Sequence, residues 1–238
     1  MLDLAKKQPS RAKKWAWRGA WRVLLTLGLL LGLAMVFNEQ IKLFIVDYMS
    51  RTTLNGVNKK SVAKNNNKKA NYDFGAVDDL DLGAVGNAAM NTKDAIGMIA
   101  IPKVSLYLPI MKGLSNNNLS VGAATMTADQ KMGEGNYALA GHDTSSKGVL
   151  FSPLGYVKKG DSVYLTDMTK VYRYKVTDKR NIDQYEVQWV DPVKGQKLIT
   201  LITCEVMTKT RADRIMVRGE LVSVHKATKA KLKVFKAN

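Results

Sequence analysis

Two side chains in this 238-residue chain have the chemistry of a nucleophile and its proton partner: the only cysteine, Cys204, and one of the two histidines, His142. A thiol attacks carbonyl carbon as its thiolate, and a neighbouring imidazole can hold the proton and return it to a leaving group. Cys204 closes the apolar run Leu198-Ile199-Thr200-Leu201-Ile202-Thr203, and His142 closes Tyr137-Ala138-Leu139-Ala140-Gly141. Both end strand-like segments, where a rigid element presents a side chain at its mouth. His225 lies among the lysines after Val222, in a segment expected to be mobile and ill suited to fixed geometry. Residue types alone leave alternatives open. A lone thiol is also found as a small buried hydrophobe or as a cross-link to another chain, and a lone histidine as a structural residue.

The elements that must position these residues begin with an amino-terminal anchor. Lys6, Lys7, Arg11, Lys13, Lys14, Arg18 and Arg22 oppose a single acid, Asp3, ahead of an apolar stretch from Val23 to Phe37. Taking in Gly19 to Trp21, with Arg22 snorkelling to the headgroups, the helix reaches the roughly 20 residues that span a bilayer. Trp15, Trp17 and Trp21 suit an interfacial belt, and the positive-inside rule places residues 1–22 in the cytoplasm. Ala34-Met35-Val36 and Val36-Phe37-Asn38 present bulky residues where signal cleavage needs small ones. The expectation is an uncleaved anchor over residues 19–38, with everything after it outside the cell.

The formal charge of +17 alone suggests a nucleic-acid binder. By segment it does not. Residues 1–22 carry +6, residues 23–70 carry +5 and residues 222–238 carry +5, leaving residues 71–221 at +1. The body is near neutral and the appendages are basic, which fits a membrane anchor in an anionic envelope. Membrane lipid is therefore an expected partner and nucleic acid is not.

Residues 39–90 read as an extracellular linker. Asn38 to Tyr48 extends the first helix, Ser50 to Asn71 (with Lys64-Asn65-Asn66-Asn67-Lys68-Lys69) is polar and solvated, and Asp78 to Asn91 suits a short helix. Residues 91–221 are enough for one domain with one core, and residues 222–238 form a basic tail. Strands are expected at Gly97–Pro102, Leu106–Ile110, Tyr137–Ala140, Asp161–Leu165, Val171–Val176, Leu198–Thr203 and Ile215–Leu221, with helical turns at Ser115–Gly122 and Leu150–Val157. Leu198–Ile202 is apolar on both faces and belongs inside a sheet. The fold class is mainly β: a small closed barrel of about eight strands with short helical insertions, preceded by a transmembrane helix.

Three motifs in this order resemble those of the sortases. Thr200-Leu201-Ile202-Thr203-Cys204 resembles the family's TLxTC signature, Arg214 in Arg214-Ile215-Met216-Val217-Arg218-Gly219 its following arginine, and Ala140-Gly141-His142 its upstream histidine segment. Leu150-Phe151-Ser152-Pro153-Leu154 resembles a helical turn of the same family. The resemblance spans about 96–221, and the single amino-terminal anchor is most similar to class A, the housekeeping type.

The resemblance implies an eight-stranded barrel and a membrane-anchored cysteine transpeptidase. Cys204 would cleave an LPxTG-like sorting signal between Thr and Gly through a thioacyl-enzyme. His142 would serve as acid and then base, and Arg214 would face the oxyanion. Its partners would be LPxTG-bearing surface proteins and an amine of a cell-wall precursor. Arg214 and Arg218 share strand parity; alignment with the family favours Arg214 and leaves Arg218 as the alternative. Thr203 would orient the nucleophile or contact substrate. In the stretch 180–197, Val187, Trp189 and Val190 either receive the Leu and Pro of the signal or pack the loop down.

Some class A members bind calcium before the histidine strand. Here Asp129 and Glu134 are the only carboxylates of 127–136 and Lys131 opposes them, a thin set for a cation wanting six or more oxygens. No metal or cofactor is expected. Three other readings stand beside this one. An L,D-type transpeptidase resembles S-x-G-C-x-R, which Thr203-Cys204-Glu205 lacks; a pilin-polymerising sortase would carry a lid or a second span; a non-catalytic tethered module would bury its thiol.

Overall fold

The computed structural model describes residues 11–73, Gly83, Val85, 95–144, 148–204 and 214–236, with the backbone alone for residues 11–16, Arg18 and Cys204. The chain divides into two compact units, residues 1–41 and 42–238. In the first, helix α1 runs Arg11–Val36. Its segment Gly19–Val36 is 18 residues long and apolar enough to cross a membrane, with its side chains exposed.

Helix α2, Asn38–Gly56, and helix α3, Lys59–Asn66, follow. The polar stretch from Ser50 is therefore not the solvated linker its composition suggested. Asn58 and Ser61 form a reciprocal capping box that starts α3. Val46, Met49, Val57 and Val62 turn one narrow apolar face into the core, and buried Asn65 donates from Nδ2 to the Ala95 carbonyl at 3.0 Å. Few apolar residues are needed because the helices cover an existing barrel instead of building a core of their own. Of the expected helix at Asp78–Asn91, only Gly83 and Val85 are described, both helical, with Val85 buried; the rest of that segment, where a lid would fall, lies outside the described residues.

Eight strands form the body: β1 Ala95–Ile101, β2 Leu106–Met111, β3 Ala123–Thr125, β4 Asn136–Gly141, β5 Ser162–Thr166, β6 Lys170–Ile182, β7 Leu198–Cys204 and β8 Arg214–Lys226. They close a barrel in the order β1-β2-β3-β4-β7-β8-β6-β5, with β2–β3 and β4–β7 parallel and the other pairs antiparallel. Tyr172, Tyr174 and Val176 of β6 face inward while Arg173, Lys175 and Thr177 face out, as period two requires. Strand β7 lies between β4 and β8 and is buried from Leu198 to Thr203, as its apolar run predicts.

Strand β3 is too short to show a period in the sequence. It is admitted beside β2 by Gly122, where a Cβ would collide with the Pro109 carbonyl oxygen. The expected helical turns are present as the helix Asn116–Leu119 and the 3-10 helix Ser152–Tyr156.

The carboxyl-terminal segment departs from the expected mobile tail. Strand β8 runs five residues past Leu221 to Lys226, so His225 lies in the sheet opposite Val171. A short helix, Lys229–Leu232, and a final turn then place Phe235 in the core at 2% exposure. Lysines at every second or third position masked this anchoring aromatic.

Candidate active site

Three strand ends meet at one end of the β4–β7–β8 sheet. Cys204 is the register partner of Arg214 across β7 and β8. On the other side of β7, Thr203 is level with Gly141 of parallel strand β4. The next residues along those strands are Cys204 and His142, so backbone pairing alone brings Cys204, His142 and Arg214 to the same rim. Arg214 also pairs with Ile182 at the end of β6.

The segment after His142 is folded back on itself. Phe151 N donates to the His142 carbonyl at 3.0 Å, Asp143 pairs with Leu150, and Thr144 N donates to Ser152 Oγ at 2.9 Å. Leu150 has a φ of 48°, unusual for a branched residue, and is held there by full burial of its side chain. These contacts fix the backbone carrying His142, whose Nε2 is shielded from solvent. Thr203, expected to orient the nucleophile or touch substrate, is 1% exposed and sits between Gly141 and Ile215.

The sheet face leading to this rim is apolar. Ala138 and Ile202, with Met216, Ile182, Leu119 and Ala124, form a buried cluster separate from the barrel core, and Ala140, Trp189 and Val190 pack on it. The connection between β6 and β7 lies over this face through the 3-10 turn Val187–Val190. Within that turn the expected substrate residues part company. Trp189 and Val190 pack down onto the cluster, while Val187 points outward at 66% exposure.

Arg218, the alternative to Arg214, is level with Thr200, four residues from the Cys204–Arg214 pair. Its guanidinium bonds Thr200 Oγ1 and the Trp189 carbonyl. Burial pushes it below its ordinary pKa, with Asp178 countering and Arg180 adding to the shift.

The segment before β4 and the end of the β6–β7 connection enclose a cleft of about 380 Å³, lined by Asp129, Lys131, Glu134 and Asp191 among others. Among the described residues no group of three or more His, Cys, Asp or Glu is placed to hold a metal. A lysine on the same cleft as its carboxylates makes the donor set a poor fit for calcium. The residues that the sequence did not single out are Asn136, Glu186 and the role of Thr200. Asn136 and Glu186 bond Trp189 of the turn and Thr200 bonds Asn136, and no spacing pattern marks them.

Comparison with known proteins agrees with this geometry. Residues 99–222 match the family model described as the Sortase domain. Sortase A of Listeria monocytogenes is 43% identical over 204 residues, covering 84% of this chain and 91% of that protein. Sortase A of Streptococcus agalactiae is 39% identical over 223 residues, 90% of each. The crystal structure of the Listeria enzyme superimposes with a TM-score of 0.57 at 44% identity, covering 60% of this chain and 99% of that one. The eight-stranded barrel and the motifs along it thus have one explanation: the chain belongs to the sortase family, whose members are transpeptidases.

Proposed function

We propose that the chain is a membrane-anchored cysteine transpeptidase that cleaves LPxTG-like sorting signals and joins the released protein to an amine of a cell-wall precursor. The observation that carries this reading is the register that puts Cys204 opposite Arg214 and one step from His142 at a single rim. The Cys204 thiolate attacks the Thr carbonyl carbon, forming a tetrahedral adduct whose oxyanion Arg214 neutralises. Collapse expels the glycine amine, which takes its proton from His142, and leaves a thioacyl-enzyme. The acceptor amine then gives a proton back to His142 as it attacks, and the sulfur leaves as thiolate. Thr203, buried behind the nucleophile, holds the end of β7 in place. Exposed Val187 is the apolar residue of the turn available to substrate side chains, while Trp189 and Val190 form the floor beneath them.

Helix α1 anchors the protein in the membrane with residues 1–22 cytoplasmic and the barrel outside the cell, next to lipid and to LPxTG-bearing surface proteins. No step needs a metal. Nucleic acid has no place in this scheme.

The test is ligation of an LPxTG peptide to oligoglycine by the full chain in detergent micelles, followed by mass spectrometry. Wild type is expected to yield ligated product and a thioacyl adduct on Cys204, and Cys204→Ala neither. Product from both proteins, or from neither while wild type is folded, overturns the reading.

A further inference from the structure

Arg218 shares the strand parity of Arg214 but lies about 13 Å farther along β8 at roughly 3.3 Å per residue, too far to serve the same oxyanion. Its contacts show a different task. Two strands each send a donor to the turn Val187–Val190, Asn136 from β4 and Arg218 from β8, and Thr200 of the intervening β7 links the two. The Trp189 carbonyl accepts from both Asn136 Nδ2, at 2.9 Å, and Arg218 Nη2, at 2.6 Å, which fills its two lone pairs. Asn136 Nδ2 also reaches the Asp191 carbonyl at 3.1 Å. Thr200 Oγ1 joins the two donors, giving its proton to Asn136 Oδ1 at 2.8 Å and accepting from Arg218 Nε at 3.3 Å.

The indole of Trp189 is held in the same way. The guanidinium carbons of Arg218 and Arg180 lie 4.7 and 4.9 Å from its ring centroid. Its Nε1 donates to Glu186 Oε2 at 3.0 Å, while Glu186 Oε1 accepts from Asp183 N at 2.9 Å. Arg180 is itself ion-paired with Asp178.

We infer that Arg218 is a positioning residue: with Asn136 and Thr200 it clasps the Val187–Val190 turn to the barrel before substrate arrives. The functional consequence rests on the reading that the sorting signal binds against this connection. A loose connection would have to be ordered when peptide binds, and that entropy would be subtracted from affinity. The clasp moves the ordering into folding. Arginine suits the task because one planar group supplies two aligned donors and a stacking face; an ammonium supplies neither in fixed geometry.

The test uses the full chain in micelles with Trp15, Trp17 and Trp21 changed to Phe, so that Trp189, the last of the four tryptophans, is the sole indole. Arg218→Ala is expected to raise acrylamide quenching of Trp189 at least about twofold without substrate. For the LPxTG peptide it should raise KM about tenfold and leave kcat within about threefold, because ground-state ordering is lost and the reacting groups are not. Arg218→Lys should not restore KM. Alkylation of Cys204 at the wild-type rate verifies that the fold and rim survive. Unchanged quenching and KM overturn the clasp, and a fall in kcat at constant KM overturns it by placing Arg218 at the reacting centre. If folded wild type ligates nothing, the acyl-transfer reading fails, while the quenching comparison still decides the clasp.

Discussion

Replacing Gly141 with alanine tests whether the backbone behind His142 is as tightly packed as the fold requires. A Cβ on Gly141 would lie 2.6, 2.7 and 3.0 Å from three ring carbons of Phe151. Ordinary carbon contacts are about 3.5–4.0 Å, so ring and strand must separate by about 1 Å. Phe151 has no solvent exposure and β4 is bonded on both sides, so neither can yield without disturbing neighbours. Overpacking of this kind costs about 1–3 kcal/mol. At about 2–4 °C per kcal/mol for a domain of this size, Tm should fall by about 2–12 °C.

The functional effect should be larger. His142 is the next residue, and Phe151 N bonds its carbonyl, so part of the displacement reaches the imidazole. A misplacement near 1 Å lowers a positioned reaction by about 10²-fold. Thermal unfolding and single-turnover acylation by an LPxTG peptide measure the two effects. In a double-mutant cycle, Phe151→Leu should recover part of the Gly141→Ala loss, with a coupling of about 0.5–3 kcal/mol. A Gly141→Ala protein with wild-type Tm and acylation rate would refute the reasoning, because the contact would then be absorbed without moving His142.

Two further predictions concern the barrel. The Tyr174 hydroxyl, buried and bonded by Gly133 N at 2.8 Å, has its pKa raised from 10.0 to about 12, chiefly by burial and against the opposing pull of that N–H. Because the folded state holds this proton more tightly, its contribution to stability is complete below pH 10 and is lost as pH rises towards 12. Tyr174→Phe should flatten that part of the alkaline decline in urea titrations and, by orphaning Gly133 N–H, lower stability by about 1–3 kcal/mol at neutral pH. An unchanged alkaline slope contradicts the assignment. Phe235→Ala should cost about 3–5 kcal/mol, as for other buried aromatics, measured by chemical denaturation; a loss below about 0.5 kcal/mol would show that the carboxyl-terminal turn contributes nothing to the core.

The strands most legible in the sequence were those with a strong local pattern. Strand β6 announced itself by alternation and β7 by a run apolar on both faces, because each face of each residue meets a defined environment. Helix α3 and the part of α2 beyond Tyr48 did not, since their burial depends on a barrel assembled from residues far along the chain. Asn65 illustrates the difference: within a polar run it looks solvated, yet its amide is buried against the Ala95 carbonyl. Phe235 was hidden in the same way among lysines. Strand β3, three residues long, has no period to detect.

The candidate site divides along the same line. Cys204 and His142 were visible because their chemistry is scarce in the chain and each ends a strand-like run, whereas Arg214 was picked out of nine arginines by the resemblance to the family. The sequence by itself thus determined which groups were available for acyl transfer and that strands would carry them. Only the tertiary structure distinguished the surroundings of Arg214 from those of Arg218, because the two have the same parity and differ in what faces them across the sheet. Register puts one beside Cys204 and the other beside Thr200 and Trp189. Local pattern encodes which side of a strand a residue takes; closure of the barrel encodes which partners it finds there.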